Sequence, residues 1–97
     1  MLFSIHCIDR AGGSAVRSAT RATHLAYLDA QAASLVHVGP LLDPDGAPCG
    51  SLLVVDVPDR AAAERLAAGD PYAIAGLFET VLVHGHRVVF RDGARVA

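Results

Sequence analysis

The chain has 97 residues, a size that fits one domain, and 53% of them are hydrophobic, which excludes a disordered chain and supports an ordered core. Its formal net charge is −2, it has no lysine and no basic tract, and its aromatics are three Phe and two Tyr, so neither the charge nor the stacking surface of a nucleic-acid binder is present. Cys7 and Cys49 lie too far apart for a zinc motif or disulfide framework, no apolar run is long enough to span a bilayer, and residues 1–7 lack the basic and apolar regions of a signal peptide; a cytoplasmic protein is expected.

Residues 2–8 alternate. Phe3, Ile5 and Cys7 face one way and Leu2, Ser4, His6 and Ile8 the other, which predicts a strand. Asp9 to Gly13 breaks the pattern, and Gly12-Gly13 marks a loop. Ser14 is the expected N-cap of an alanine-rich helix that runs to about residue 33, with Val16, Ala19, Thr23, Ala26, Tyr27 and Ala30 as its core stripe. Leu35 to Leu42 reads as a second strand, and Gly39-Pro40 predicts a bent end or a sheet edge. Residues 43–50 carry turn chemistry throughout.

Ser51 to Val57 is a third strand, with Leu53, Val55 and Val57 on one face. Asp59 is placed to cap a second helix over Arg60 to Ala68, closed by Gly69 at its C′ position. Asp70 caps a short helical segment that opens with Pro71 and reaches about Ala75. Leu77 to Phe90 returns to strand, with Gly85 as a bulge or bend, and Asp92 to Ala97 is expected to fray.

The order is β-α-β-β-α-β. That is the signature of a ferredoxin-like α+β fold, a four-stranded antiparallel sheet with both helices on one face. A single domain over residues 1–97 follows, with its core in about 1–90 and a short tail at 91–97. The other face of the sheet includes apolar residues and needs a cover, which predicts a face-to-face homodimer, open to further stacking.

Arg17, Arg21, His24 and Leu28 fall on one narrow stripe of the first helix, beside the expected core stripe. Two guanidiniums there would favour an anionic ligand and oppose protonation of His24. A solvated polar face is the alternative for both arginines. His24 is the strongest candidate for proton transfer, since imidazole titrates near neutrality. Asp70 either caps the segment after it or orients an imidazole, and spacing alone leaves both open. His84 and His86, two apart on a strand, would share a face, but no third metal ligand is evident. His6 and His37 sit within strands and would line either a pocket or an interface. Ser51, at a strand start after Gly50, either bonds a ligand or serves the turn. No phosphate loop, nucleophile elbow or CxxC is present.

Four segments resemble one family. Arg21-Ala-Thr-His24-Leu25-Ala-Tyr-Leu28 is similar to the Arg-x-x-His-Leu-x-x-Leu helix motif of YciI-like (YCII-related) proteins. Val38-Gly39-Pro40-Leu41 resembles the family's Gly-Pro-Leu strand end, and Gly50-Ser51-Leu52 the start of its third strand. Asp70-Pro71-Tyr72 followed by Ala75-Gly76-Leu77-Phe78 resembles its Asp-Pro-aromatic and Ala-Gly-Leu segment. The chain departs from the pattern at His84-Gly85-His86, where members commonly carry Pro with an aromatic.

The resemblance implies a ferredoxin-like fold that dimerises into an α/β barrel, related to muconolactone isomerases. It implies His24 and Asp70 as an active-site pair; Arg21, Ser51 and Tyr72 are the residues expected against the ligand. It also implies chemistry without metal or organic cofactor, since one branch of the family eliminates hydrogen chloride from a chlorinated hydroxyquinol. Two function classes follow. One is an acid/base enzyme acting on a small, anionic, cyclic or aromatic compound by elimination or isomerisation. The other is a non-catalytic dimeric module that binds a ligand or assists a partner. A third reading makes Asp70 only a cap and His24 only a buried side chain.

Overall fold

The computed structural model describes all residues, 1–97. The elements are β1 (Leu2–Asp9), α1 (Ser14–Ala30), a 3-10 turn (Ala32–Ser34), β2 (Leu35–Leu42), β3 (Pro48–Asp56), α2 (Arg60–Gly69), α3 (Pro71–Ile74), β4 (Phe78–Gly85), β5 (Phe90–Arg91) and β6 (Ala94–Arg95). The main sheet has four strands in the order β2-β3-β1-β4, and every pairing in it is antiparallel. With the helices on one face, this is the expected ferredoxin-like arrangement. The edge position of β2 accommodates Pro40, which has no N–H to give a further strand.

Alternation in the strands builds the core. Phe3, Ile5 and Cys7 of β1 are buried, as are Leu53 and Val55 of β3, and Ile5 sits between Leu53 and Val83 in register. Each such side chain contributes about 1.5–3 kcal/mol by leaving water. α2 lays Ala63, Leu66 and Ala67 on this surface. Its first turn is held as the sequence implies, with the Asp59 carboxylate accepting from the Ala62 N–H at 2.8 Å. β3 starts earlier than expected, at Pro48. The cause is tertiary: residues 48–51 pair with β2 and the end of β1, so turn-like composition is drawn into the sheet.

α1 differs most from its sequence-based description. It ends at Ala30, and Gly13, not Ser14, is the N-cap, with no side-chain hydrogen bond. Of its expected core stripe only Tyr27 packs against the core: Val16 is 39% exposed, and Ala19, Thr23, Ala26 and Ala30 are exposed. Arg17, His24 and Leu28 are the residues it buries. The polar stripe thus points at the sheet, because it finds partners there, while alanine loses little by facing water.

Gly69 also has a different reason from the left-handed cap expected of it. Its φ is not positive; instead a Cβ there would meet the Tyr27 hydroxyl at 2.7 Å. That hydroxyl donates to the Leu66 carbonyl at 2.8 Å and ties α1 to α2. Gly69→Ala should therefore destabilise by about 1–3 kcal/mol. Denaturant unfolding should show the double variant with Tyr27→Phe to be less damaged than the sum of the singles. Strict additivity would refute the contact as the cause.

β4 stops at Gly85, so the expected long strand to Phe90 is divided, and His86 lies beyond the strand it was assigned to. The tail is not frayed. β5 and β6 pair as a hairpin around Asp92 (φ 51°) and Gly93 (φ 77°), and the Val96 N–H donates to the Val89 carbonyl at 2.8 Å. Two successive positive φ values are what a two-residue hairpin turn demands, and Asp-Gly is its commonest signal.

Candidate functional site

The site lies where α1 crosses the sheet. Arg17 reaches down to the end of β1, where its Nε donates to Asp9 Oδ2 at 2.8 Å and its Nη2 to Asp9 Oδ1 at 2.9 Å. Nη2 also donates to Ser51 Oγ of β3 at 3.1 Å. The Arg17 and Asp9 side chains are only 10% and 7% exposed. Burial opposes the Arg17 charge, but the Asp9 hydrogen bonds and charge outweigh it, and the guanidinium titrates above its ordinary value. The solvated-face alternative for Arg17 is therefore corrected: the side chain is a buried, bidentate partner of Asp9.

About two turns further along α1, His24 Nδ1 lies 2.8 Å from Asp70 Oδ1, with both side chains buried. The same Asp70 oxygen accepts the Tyr72 N–H at 2.9 Å. Asp70 is thus both a cap and the imidazole's partner. The cap fixes the carboxylate, and the carboxylate fixes the ring with Nδ1–H donating to it. Nε2 has no partner within the chain. Tyr72 packs its ring flat on the imidazole, with centroids 3.9 Å apart, and meets Phe78 edge-on at 6.1 Å. Arg17 Cζ lies 4.6 Å from the centre of the same ring.

These groups open onto a cavity of about 340 Å³ between α1 and the β2–β3 end of the sheet. Its wall includes Arg17, Arg21, His24, Pro40, Ser51 and Tyr72. That volume suits a small molecule, with an apolar lining and a few convergent polar groups. Of the residues singled out from sequence, His24, Ser51 and Tyr72 are brought together at the cavity. Asp70 stands behind His24, and Arg21 is exposed at the rim with no ion pair. His6, His37, His84 and His86 are outside it. The register puts His6, His37 and His84 on the open face of the sheet, beside Leu52, Val54 and Leu82.

Asp9 was not anticipated. It ends a strand eight residues before Arg17, and only the loop between them brings the two together. Beneath the site, burial pushes the Cys7 thiol up to about 12, with Asp70 and Asp9 adding to the effect and Arg17 opposing it. Cys7 is therefore a packing group, not a nucleophile. Its raised value has a pH consequence. Below the ordinary thiol value of 9.0 the contribution to stability is complete; from there to about 12 the unfolded chain loses a proton that the fold retains. Stability should fall over that range in denaturant titrations, and Cys7→Ala should flatten the fall.

No helix is long and apolar enough to cross a membrane. A search of curated proteins finds no match. Among solved structures, 5-chloro-2-hydroxyhydroquinone dehydrochlorinase (TftG) from Burkholderia phenoliruptrix AC1100, in complex with 2,5-dihydroxybenzoquinone, superposes with a TM-score of 0.83. It is 33% identical in sequence, and the match covers 90% of this chain and 94% of that one. The family model of the YCII-related domain matches residues 1–86. By sequence and fold together, the chain belongs to the YCII-related family.

Proposed function

We propose that this protein is a small-molecule enzyme in which His24 transfers a proton and Asp70 orients the ring and stabilises its charged form. The observation that carries this reading is the imidazole held through Nδ1 by a buried carboxylate, with Nε2 left free at a cavity of about 340 Å³. The substrate is a small cyclic or aromatic compound with anionic character, drawn in by Arg21 at the rim and contacted by Ser51 and Tyr72. The reaction is elimination or isomerisation, which needs a base and an acid but no redox cofactor. The dehydrochlorinase with a hydroxybenzoquinone bound supports the substrate class.

The whole chain acts as one unit, in the cytoplasm, as a homodimer through the open sheet face. The accessible surface supports self-association: it is 5956 Å², whereas a compact monomer of this mass exposes about 5,300 Å². Ile8 and Leu82 on that face are 38% and 44% exposed. Sedimentation at micromolar concentration should show twice the chain mass, and a monomer would refute the pairing.

The catalytic test is a screen of small hydroxylated and halogenated ring compounds, read by absorbance and halide release in parallel. Turnover by the wild type that disappears in His24→Ala supports the proposal. Ligands that bind equally to both proteins and are never converted would favour the binding-module reading instead.

A further inference from the structure

The cavity holds more hydrogen-bond donors than a His–Asp pair needs. Arg17 spends Nε and Nη2 on Asp9 and Ser51, which leaves the two N–H groups of Nη1 for the Tyr72 hydroxyl and the cavity. Ser51 Oγ accepts from Arg17, so its own proton is free to donate. The Tyr72 hydroxyl accepts from the Arg17 guanidinium, so its own proton is likewise free to donate. All three residues line the same cavity as His24.

We infer that Arg17 Nη1, Ser51 Oγ and Tyr72 Oη form an oxyanion site that faces His24 across the cavity, for substrates whose departing proton lies on the carbon next to a carbonyl. The inference rests on the acid/base reading of His24 and gives that reading its second half. His24 Nε2 takes the proton, the C–H pair becomes a C=C bond, and the carbonyl pair moves onto oxygen. The resulting enolate oxygen is where the donors act. The charge then returns: the C=O reforms, and the C=C pair either expels a leaving group from the adjoining carbon with its bonding pair or, where a further C=C is conjugated with it, shifts along so that the far carbon takes the proton.

Charge balance favours this role over binding a permanently charged group. Asp9 already neutralises Arg17, so the inner end of the cavity carries little net charge, and Arg21 at the rim is the one cation without a counter-ion there. Fixed donors in a near-neutral, water-poor site discriminate most when charge develops during the reaction. Both partners keep the required protonation. Burial raises the Tyr72 phenol above its ordinary value, although Arg17 opposes the shift, and Arg17 itself stays cationic. Asp9 holds the guanidinium in place, so no side chain has to reorganise when the oxygen becomes charged.

The test uses 4-nitrophenol, a ring oxyanion whose phenolate is seen by its visible absorbance. Titrated at a pH below its own pKa, the wild type should bind it and raise the phenolate band. Ser51→Ala and Tyr72→Phe should each weaken phenolate binding by roughly tenfold or more, since each removes one hydrogen bond to a charged group. Both variants keep the backbone and ring packing, and thermal unfolding should confirm that both fold, with Ser51→Ala lowered only modestly by loss of its bond to Arg17. His24→Ala should still bind the phenolate within a few-fold. Absence of binding, a bound probe that stays neutral, or equal affinity in both donor variants would overturn the inference. The two readings fail separately. Turnover that survives His24→Ala sinks the acid/base role and leaves phenolate binding dependent on the donors. Turnover lost in His24→Ala with donor-independent binding sinks only the oxyanion site.

Discussion

His24→Ala should lower turnover by about 10²–10⁴-fold, the range for removing a positioned acid or base. The fold should survive, because the ring it stacks on, Tyr72, is also anchored by Phe78 and by its own N–H to Asp70. Asp70→Asn separates the two roles of Asp70. Asparagine caps a helix as well as aspartate does, so the Tyr72 N–H keeps its acceptor and stability should change by less than about 1 kcal/mol. The amide cannot stabilise an imidazolium and no longer enforces the Nδ1–H tautomer, so turnover should fall by a comparable factor. Asp70→Ala loses the cap as well, at a further cost of about 0.5–2 kcal/mol. Parallel kinetics and thermal unfolding of the three variants check this pattern. Equal loss of stability and turnover in all three would mean that the pair is structural.

Arg17→Ala should be the most destabilising of the single substitutions considered, by about 3–5 kcal/mol, because Asp9 stays buried with no counter-charge. A domain of this size has a total stability of only about 5–15 kcal/mol, so the loss should be plain in any denaturant curve. Asp9→Ala should cost as much for the mirror-image reason. The double variant Arg17→Met, Asp9→Leu should recover most of the stability, since apolar replacements leave no orphaned charge. It should not recover activity, because the guanidinium is gone from the cavity. A double variant no more stable than either single would show that the ion pair itself, and not the avoidance of an unpaired charge, holds this corner of the fold.

Arg17 illustrates how a polar stripe can be the buried one. A helix turns toward the sheet whichever face satisfies more groups there. Here a bidentate carboxylate, a serine hydroxyl, an aromatic face and a second carboxylate all wait beneath α1. Against that set, the alanines of the opposite face have little to gain from burial.

What the amino-acid order determined by itself is local. Alternation placed Phe3, Ile5 and Cys7 on one face of β1 and Leu53 and Val55 on one face of β3, since strand geometry repeats every two residues. Asp59 and Asp70 declared themselves as caps because a carboxylate reaches an N–H two or three residues on. The strand and helix order was enough for the ferredoxin-like topology, and the motif around His24 and Asp70 was enough for the family. Asp92-Gly93 was equally local, but its turn chemistry was masked by the expectation of a frayed tail. The tertiary structure decided the rest: which face of α1 is buried, that Gly69 answers to Tyr27, that Asp9 and Ser51 hold Arg17, and that His24 meets Asp70. Those contacts join residues 8, 34 and 46 positions apart in the chain, or lie between two helices. A side chain declares its local preference in sequence, but its partner is chosen only when the sheet brings distant strands and helices within a hydrogen bond of one another.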